Sequence, residues 1–449
     1  MKQNYSQLNH SFEEYLQNPT ENRLHPSEIA YLLKKTRKKN KEQFLETLDQ
    51  IPEDILGDVL LELPEKIKDE AIEFLPSHEL SRAMESLESD DATDLLLDIE
   101  DADESKAEIV ISQLDVEDAK EIESLRHYED NQAGSIMQVE LFNATLDEKV
   151  QDSIDRLKQL KSENELENIH QVFIINEERR LIAAIPLEDV ILFDFTKTFD
   201  EQLLVKEFRS VEASTDVEEV ANMFEQYDLN VIPVVDWQGK LIGRITSDDI
   251  YDVIEELATD QIYHLAGVDD DVEQEDKVVT VAINRAIWLG INLVTALMAS
   301  LVIAQFSHVL QAFIPLAILM PIVASMGGNA GLQALTVMVR RIALGEVELE
   351  NAKDAIKRES GIALFNGASF AIIMGAIAYF WFGVAMLGVV IALAMVTNIF
   401  IAGIIGAGVP LILKRLEIDP AVGSSVMLTM STDIIGFFVF LSLANWLIV

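Results

Sequence analysis

Long stretches without a charged residue dominate the C-terminal part of this sequence. No Asp, Glu, Lys or Arg occurs from 286 to 339 or from 360 to 413, and Asp433 is the only such residue from 421 to 449. A membrane-spanning helix needs about 20 mainly apolar residues, whereas a soluble helix of this length needs a charged outer face. The three stretches therefore predict five spans. The predicted spans lie near residues 284–305, 312–339, 360–381, 384–412 and 421–447.

The basic residues between the spans predict the orientation. They cluster at 340–358 and 414–415, while the turns near Ser307 and Gly383 have none. Because loops rich in Lys and Arg stay in the cytosol, the N-terminal half is predicted to be cytosolic and Val449 to lie outside. The sequence thus predicts a multi-pass protein of the cell membrane, surrounded by the lipid bilayer.

The negative charge is confined to the N-terminal half. Residues 281–449 hold equal numbers of acidic and basic residues, so the whole formal net charge of −43 lies in residues 1–280. Such a surface repels phosphate, which argues against a nucleic acid partner, and its carboxylate oxygens favour hard divalent cations such as Mg²⁺. The chain has no cysteine. No set of nucleophile, base and electrophile is visible, so we expect no enzyme activity.

Among the residues of the predicted spans, Asp433 gives the strongest indication of a function. Placing a carboxylate in the hydrocarbon of a membrane costs free energy, and such a residue usually marks an ion path or a proton relay. The alternative is a protonated acid that is hydrogen-bonded between helices. Asp433 follows Ser425 and Thr429 at helical spacing, and Ser325 and Asn329 share a face of another predicted span in the same way.

Glycines accompany these polar residues. Gly327 and Gly328 directly precede Asn329, and they allow either close helix contact or local unwinding. Unwinding would free backbone carbonyls, which together with Asn329 could bind the water shell of an ion.

Residues 1–130 predict an acidic helical domain. Short amphipathic segments follow one another between Pro-containing turns, as in IPEDILGDVLLELPEKIKDEAIEFLPSHELSRAMESL (51–87). Leu and Ile recur in them at helical spacing between acidic faces. We expect a superhelix of short helices, and the sequence leaves its hand open.

Residues 131–258 predict a pair of α/β repeats. The segments QVFIINEERRLIAAIPLEDVIL (171–192) and VIPVVDWQGKLIGRITSDDIYDVIEEL (231–257) both read as strand, turn, strand and helix start. They look like tandem CBS domains, a regulatory module. In many such domains, residues like Thr246 and Asp249 of the second copy hold the ribose of a nucleotide such as ATP. A plain helix N-cap is at least as good an interpretation.

The first copy departs from this pattern, because Ala183 and Pro186 stand where the second copy has Gly243 and Thr246. We expect no nucleotide there. After the repeats, residues 259–280 are predicted to form a connecting helix. Residues 281–449 complete the chain as a transmembrane pore domain of five helices.

This order of domains resembles the MgtE family of magnesium transporters and channels. The segment PIVASMGGNAGLQALTVMVRRIALGE (321–346) is similar to that family's Gly-Gly-Asn-x-Gly-x-Gln signature. AGSIM (133–137), YDLNVIPVVD (227–236) and IDPAVGSSVMLTMSTDIIGFF (418–438) are similarly close. Because these motifs agree in order, the chain is identified as a member of that family.

The resemblance implies a homodimer whose pore lies between the two membrane domains. Asp433 matches the pore acid, and Asp419 matches a second acid at the cytosolic mouth. Regulatory acids are expected on two facing surfaces. They are Asp90, Asp91 and Asp94 on the helical domain, and Asp228, Asp248, Asp249, Asp252 and Asp260 on the CBS side. Mg²⁺ would then be both the transported and the regulatory ion.

The predicted function is a Mg²⁺-selective, channel-type importer that cytosolic Mg²⁺ closes, and that maintains magnesium homeostasis. At low Mg²⁺ the acidic domains would repel each other, and at high Mg²⁺ the ion would bridge their carboxylates. A carrier coupled to Na⁺ or H⁺ is the alternative, with Asp433 as a proton site. A membrane-bound sensor without transport is a third interpretation.

Overall fold

The chain folds into two compact units, Met1–Glu255 and Glu256–Val449. The structure is a computed structural model, and it describes residues 5–17, 24–163, 166, 168–203, 208–268, 278–416 and 418–449. Of the predicted connecting helix, residues 269–277 lie outside the described residues. The first unit contains the helical domain and the CBS pair, and the second contains the spans.

The helical domain is a stack of short helices. Their bounds are α1 Tyr5–Gln17, α2 Pro26–Lys39, α3 Lys41–Leu48, α4 Glu53–Leu61, α5 Glu65–Phe74, α6 Ser77–Glu85, α7 Ser89–Ala102, α8 Glu104–Ile111 and α9 Val116–Leu125. Pro52, Pro64 and Pro76 immediately precede α4, α5 and α6, because proline starts a helix well and cannot continue one. From α2 onward, each helix packs on the helix two places further along, the even ones in one row and the odd ones in another. This arrangement confirms the predicted superhelix.

One apolar core joins the two rows, and it sets the direction of α7. Leu95, Leu96 and Ile99 of α7 are fully buried in this core, and burying a side chain of this size stabilises a fold by roughly 1.5–3 kcal/mol. The acidic positions Asp91 and Asp94 lie one turn apart and keep contact with solvent. The core therefore directs this acidic edge of α7 away from the helical domain.

The two CBS repeats have the same topology. The first comprises β1 Asn143–Thr145, α10 Val150–Ser162, β2 Gln171–Ile175, β3 Leu181–Pro186 and α11 Leu187–Val190, and the second comprises β4 Val211–Glu212, α12 Val217–Tyr227, β5 Val231–Val235, β6 Leu241–Thr246 and α13 Ser247–Ala266. In both, the first strand pairs in parallel with the second, and the second pairs antiparallel with the third. The register shifts at Ile174/Ile175 in one and at the matching Val234/Val235 in the other. The predicted pair is confirmed.

Helix α13 belongs to both the second repeat and the connecting segment. It starts directly after β6 and is continuous through Ala266, so the division predicted at 258/259 falls inside a helix. Asp249 lies in its first turn and His264 in its last. Gly267 ends it with a φ of +71°, and Val268 donates its N–H to the carbonyl of Tyr263, which is the usual glycine-terminated helix end.

The second unit contains five helices that are long and apolar enough to cross a membrane, as predicted. The first span is Val278–Gln305, the second Pro315–Ala343, the third Ala352–Phe382, the fourth Ala385–Arg415 and the fifth Ser424–Leu447. The fourth span packs against the second, third and fifth and contributes more buried residues to their shared core than any other span. The first span packs mainly on the fifth, and Ala299 is its one buried residue.

Close helix contact, rather than unwinding, explains Gly327 of the second span. This span is an unbroken α-helix through Gly327 and Gly328, so no carbonyl is freed there and that part of the prediction is wrong. A Cβ on Gly327 would lie 2.2 Å from Nδ2 of Asn398, and one on Gly436 would lie 2.7 Å from the same atom. Asn398 is fully buried and donates to the carbonyl of Val323 at 2.9 Å. One amide thus joins the second, fourth and fifth spans.

Candidate functional site

Helix α7 begins where the helical domain meets the CBS pair. Its first residue, Ser89, donates its backbone N–H to Oε1 of Glu140 at 3.0 Å and its hydroxyl to Oε2 at 2.9 Å. The same hydroxyl accepts the N–H of Val139 at 2.9 Å. A helix N-terminus attracts a carboxylate because its first N–H groups lack partners within the helix. These contacts hold α7 against the CBS pair without a metal ion.

Arg244 makes the second contact of this kind. It lies on β6 and is only 2% exposed. Its Nη2 lies 3.4 Å from Oε1 of Glu88, the residue before α7, and its Nη1 donates to the carbonyl of Asn168 at 3.1 Å. One arginine therefore contacts the helical domain and both CBS repeats.

Between these contacts, carboxylates of the two domains face each other. We call this group the acidic interface. It comprises Glu88, Asp90, Asp91 and Asp94 of the helical domain, and Asp248, Asp249 and Asp252 of the CBS side. The negative charge of Asp249 raises the pKa of four acids of the helical domain, which are Glu88, Asp90, Asp91 and Asp94. The structure therefore places acids of the two predicted sets close together.

Asp90 is the most deeply placed acid of this interface. It is 6% exposed, and its Oδ1 is buried without a hydrogen-bond partner among the described residues. Burial raises the pKa of Asp90 well above its ordinary value, and Asp249 and Asp91 raise it further. A buried carboxylate oxygen without a partner is unfavourable unless a proton or a cation neutralises it. This atom therefore fits a site that binds a cation.

The neighbouring acids are shifted for the same reason. Burial, followed by the charge of Asp249, raises the pKa of Asp91 to about 7. The pKa of Glu88 also rises to about 7, because burial outweighs the attraction of Arg244. Burial raises the pKa of Asp249 to about 6 against the opposing hydrogen bonds from Thr246. We call this arrangement, in which the helical domain contacts the CBS pair, the docked state. In the docked state these carboxyl groups have pKa values close to neutral pH.

The other acids of the interface lie at its rim and are exposed. Desolvation by the surrounding protein raises the pKa of Asp94 to about 6, and the negative charge of Asp98 raises it further. Partial burial raises the pKa of Asp252, and the charges of Glu255 and Glu62 add to it. Because these two groups keep contact with water, their charges are better screened, and the buried acids dominate the electrostatics of the interface.

The predicted ribose-binding pair acts as a helix cap in this conformation. Thr246 is 2% exposed, and its Oγ1 lies within hydrogen-bond distance of the carboxylates of Asp248 and Asp249. Its backbone N–H donates to Oδ2 of Asp249 at 3.1 Å. Thr246 precedes α13 and Asp249 is the third residue of that helix, so this last bond is one of the two bonds that make up a capping box. The structure favours the N-cap interpretation, and nucleotide binding stays a prediction.

Two of the predicted regulatory acids are not part of the acidic interface. Asp228 is exposed at the C-terminal end of α12 and has a φ of +49°, a conformation that Asp tolerates better than most residues. Asp260 lies in the later part of α13, in the second unit. Ion binding by either one stays a prediction.

In the fifth span, Asp433 is half-buried. No hydrogen bond joins its carboxyl to another residue in the part of the chain that the structure describes. Thr429, one turn earlier, uses its hydroxyl within its own helix, on the carbonyl of Ser425. Asp433 is therefore not locked to a neighbouring helix of the same chain, which argues against the alternative of a hydrogen-bonded structural acid.

Asn329 lies on a different surface. It donates to Ser325 Oγ at 3.3 Å and lines an open groove of about 730 Å³ between the second, third and fourth spans. The polar residues of this groove are Asn329, Gln333, Thr336 and Asn366. Asp433 is not among its lining residues, so the two predicted pore residues do not share this groove.

Asp419, the second predicted acid of the pore, precedes the fifth span. Its Oδ1 accepts the N–H of Ala421 at 2.8 Å, and its Oδ2 lies 2.6 Å from Nδ1 of His264 at the end of α13. Both carboxylate oxygens thus already have partners. Among the described residues, no three His, Asp or Glu side chains are grouped closely enough to hold one ion directly. An ion bound through its own waters needs only one or two carboxylates, as Mg²⁺ often does.

These features define a class of protein: a multi-pass membrane protein with an ionisable group inside its spans and a soluble part made of helical and CBS domains. Residues 320–443 match the divalent cation transporters of the MgtE type, residues 24–131 the MgtE intracellular N domain, and residues 201–256 the CBS domain.

Known relatives make the assignment specific. The magnesium transporter MgtE of Thermus thermophilus is 32% identical over 337 residues, which is 75% of this chain and 74% of that protein. The magnesium transporter MgtE of Bacillus subtilis is 29% identical, again over 75% of this chain and 74% of the relative. The chain belongs to the MgtE family of magnesium transporters.

Among solved structures, the cytosolic domain of the Mg²⁺ channel MgtE in complex with ATP is 27% identical to this chain. The structural match covers 54% of this chain and 99% of that cytosolic domain, with a TM-score of 0.49.

Sequence reasoning missed several residues of these sites. Glu88, Glu140 and Arg244 connect the helical and CBS domains, and His264 contacts Asp419. Arg244 had a visible signal, because an arginine inside the apolar strand segment LIGRIT needs a partner when buried. His264 had none, since a single histidine near a helix end is usually at the surface.

Proposed function

We propose that this protein is a channel that conducts Mg²⁺ into the cytosol, and that Mg²⁺ bound at the acidic interface closes it. The observation that carries the proposal is Asp90, a buried carboxylate with an unpartnered oxygen that faces further carboxylates of another domain. Such an arrangement persists only when positive charge is added. A divalent cation supplies that charge in proportion to its concentration.

The two kinds of contact at this interface have separate roles. Ser89, Glu140 and the Glu88–Arg244 ion pair position the helical domain without metal. The facing acids Asp90, Asp91 and Asp249 oppose that position, because like charges repel at short range. Cytosolic Mg²⁺ removes the repulsion, so the docked arrangement is favoured only when the ion is abundant. A ligand shifts such an equilibrium by its differential affinity for the two states.

In the membrane, Asp433 is the residue proposed to bind the passing ion. A half-buried carboxylate without a partner can hold Mg²⁺ through the ion's water shell. Inward movement through an inside-negative potential yields about 4.6 kcal/mol per 100 mV for a divalent ion, twice the single-charge value. Conduction therefore requires no coupled ion and no ATP hydrolysis.

We further propose a homodimer with the N-terminal half in the cytosol and Val449 outside. The open groove carries Asn329, Gln333, Thr336 and Asn366 at membrane depth, where polar side chains avoid lipid and face protein or water. A second copy of the chain would cover such a surface. Asp433 from each copy would then line a shared path.

Purified protein in liposomes tests the transport step. We expect Mg²⁺ influx that follows the Mg²⁺ gradient and the voltage alone, and its loss in Asp433→Asn. Asp354→Asn, which changes an acid with an 85% exposed side chain outside the long apolar segments, is the matched control. A reversal potential that moves with the Na⁺ or H⁺ gradient would instead establish a coupled carrier. Normal influx in Asp433→Asn would refute the role given to that residue.

The gate is tested by varying Mg²⁺ on the cytosolic side in patch recordings. Wild-type channel opening should fall as Mg²⁺ rises. In the triple variant Asp91→Asn, Asp249→Asn and Asp252→Asn the response should flatten, because the variant has lost both the repulsion and the carboxylates that bind the ion. Wild-type steepness and midpoint in the triple variant would show that the ion acts elsewhere.

A further inference from the structure

An acidic stripe runs along one face of α7. It comprises Asp91, Asp94, Asp98 and Asp101, which follow one another at spacings of three or four residues and therefore share a helix face. The first two belong to the acidic interface, whereas Asp98 and Asp101 lie towards the C-terminal end of α7. Negative charge is unfavourable at that end of a helix, and the last turn of α7 contains no basic residue. A cation from elsewhere would therefore stabilise this half of the stripe.

Lys68 of α5 supplies that cation. Helix α5 packs on α7, and Nζ of Lys68 donates to Oδ2 of Asp98 at 2.6 Å. The side chains of Lys68 and Asp98 are only 14% and 26% exposed, so solvent and salt screen their attraction less than that of an exposed pair. This ion pair thus differs from Arg82–Glu53 of the same domain, whose side chains are both exposed.

The charge of Lys68 acts on more acids than its hydrogen-bond partner. Burial raises the pKa of Glu65, Asp69 and Asp94, neighbouring carboxylates raise it further, and in each case the charge of Lys68 lowers it. One ammonium group thus lies among acids from two helices, and one of these acids, Asp94, belongs to the acidic interface. A divalent cation in the same place would meet the same carboxylates.

We propose that Lys68 is a fixed counter-ion that keeps divalent cations away from Asp98 and Asp101, and so confines their binding to the docked interface. The consequence for regulation rests on the gating proposed above. An ion held by α5 and α7 alone would bind the docked and the separated protein equally, and such binding cannot shift the equilibrium between the two states. It would also neutralise Asp94 before docking. Lys68 therefore makes ion binding selective for the docked state.

Coulomb's law gives the size of the effect. A unit positive charge about 5 Å from a divalent ion weakens the binding of that ion about tenfold even at the dielectric constant of water. Among the described residues, no three His, Asp or Glu side chains are grouped closely enough to hold an ion directly. An ion that takes the place of the ammonium group would therefore be held by one or two carboxylates and through its own waters.

The test counts the ions that the full-length protein binds. Mn²⁺ is the probe, because its EPR signal reports the concentration of the free ion. Lys68→Met should bind one further Mn²⁺ ion per chain, with an affinity at least about tenfold above that of the same place in the wild type, and Lys68→Arg should not. Lys158→Met removes the same charge from a 69% exposed lysine of the first repeat and is the matched control. Adding Asp98→Asn to Lys68→Met should remove the further ion.

A second measurement separates ion binding from docking. Because the chain has no cysteine, a spin-label pair on Ile109→Cys and Trp237→Cys reports docking in the full-length protein by pulsed EPR. The further ion of Lys68→Met should bind equally well when Arg244→Glu is added and the Mn²⁺ concentration leaves the domains separated. An ion that binds only to the docked protein would overturn the proposal, because it would not belong to the helical domain alone.

The ion count decides the role of Lys68. Equal counts in Lys68→Met and the wild type overturn the proposal, and so does an equal gain in Lys158→Met, which would reflect net charge alone. If Lys68→Met does not fold, Lys68→Gln gives the same readout. A wild-type protein whose docking does not respond to Mg²⁺ would refute the proposed gate, whereas a further ion in Lys68→Met would still support the counter-ion.

Discussion

Protons should replace Mg²⁺ at the acidic interface. If Mg²⁺ is removed with a chelator and the pH is lowered from 8 to 6, the helical domain should dock on the CBS pair. The reason is that docking raises the pKa of Glu88 and Asp91 to about 7 and that of Asp249 to about 6, and raises the pKa of the buried Asp90 as well. In the separated domains these groups return towards the ordinary carboxyl pKa of about 4.

The sign follows from these directions. A group whose pKa is higher in the docked state binds protons on docking, so docking becomes more favourable as the pH falls. For Glu88, Asp91 and Asp249 the penalty for docking is complete above a pH of about 8 and is absent below about 4. At pH 7, Glu88 and Asp91 are each about half protonated when docked, so together they take up about one proton. These two groups alone should therefore change the ratio of docked to separated protein about tenfold, or about 1.4 kcal/mol, per pH unit, and the buried Asp90 adds to the proton uptake.

The assay is pulsed EPR on the spin-label pair at Ile109→Cys and Trp237→Cys, whose native side chains are 48% and 82% exposed. The fraction at short distance should rise between pH 8 and pH 6 without metal. Asp91→Asn should lose about half of the slope that Glu88 and Asp91 together contribute at pH 7, because it removes one of these two half-protonated groups. It should also dock more readily at pH 8. Asp200→Asn, at an exposed acid of the first repeat, should behave as the wild type.

Two results would refute the reasoning. A docked fraction that does not change between pH 8 and pH 6 would mean that the acids do not face each other in the docked protein. A docked fraction that rises with pH would mean that ionised carboxylates stabilise docking, which contradicts the repulsion described above. With saturating Mg²⁺ the pH effect should shrink, because the ion then neutralises the same groups.

Two further predictions concern single contacts. Glu88→Arg or Arg244→Glu alone should raise the Mg²⁺ concentration needed for docking. The double charge reversal should partly restore the wild-type concentration, because opposite charges again face each other. An EPR titration with Mg²⁺ measures this, and a double variant worse than both single variants would show that the pair is not coupled. Gly327→Ala should lower the stability of the protein in detergent by about 1–3 kcal/mol, because the new methyl group overlaps the buried Asn398. Gly328→Ala has open space around its Cβ and should not lower the melting temperature, whereas an equal loss of stability in the two variants would exclude this explanation.

Much of the architecture could be predicted because it follows from local patterns. The charge-free stretches contain the five spans, and the repeated strand–turn–strand segments are the two CBS repeats. The short helices also follow directly from prolines at regular intervals. These are properties of sequence windows, and neither the position of a partner nor a side-chain conformation is needed to infer them.

The interface could be predicted only in part, because its chemistry depends on which residues meet across the fold. The acids at Asp90, Asp91 and Asp249 were visible as charges, but the burial that shifts their pKa values was not. Thr246 matched both a ribose site and a helix cap, and only the hydrogen bond from its N–H to Asp249 favours one. The partners of Arg244 and Asp419 are 156 and 155 residues away along the chain, and no periodicity carries such information.

The amide of Asn398 has a consequence for how chains of this type can diverge. Gly327 and Gly436 both border it, so a larger residue at either position requires a smaller one at 398 or a wider gap between three helices. These three positions are therefore expected to change together or not at all. Gly327 is also the first glycine of the Gly-Gly-Asn signature, and a part of what identifies the family in a sequence thus records the way its helices meet, independently of any ion.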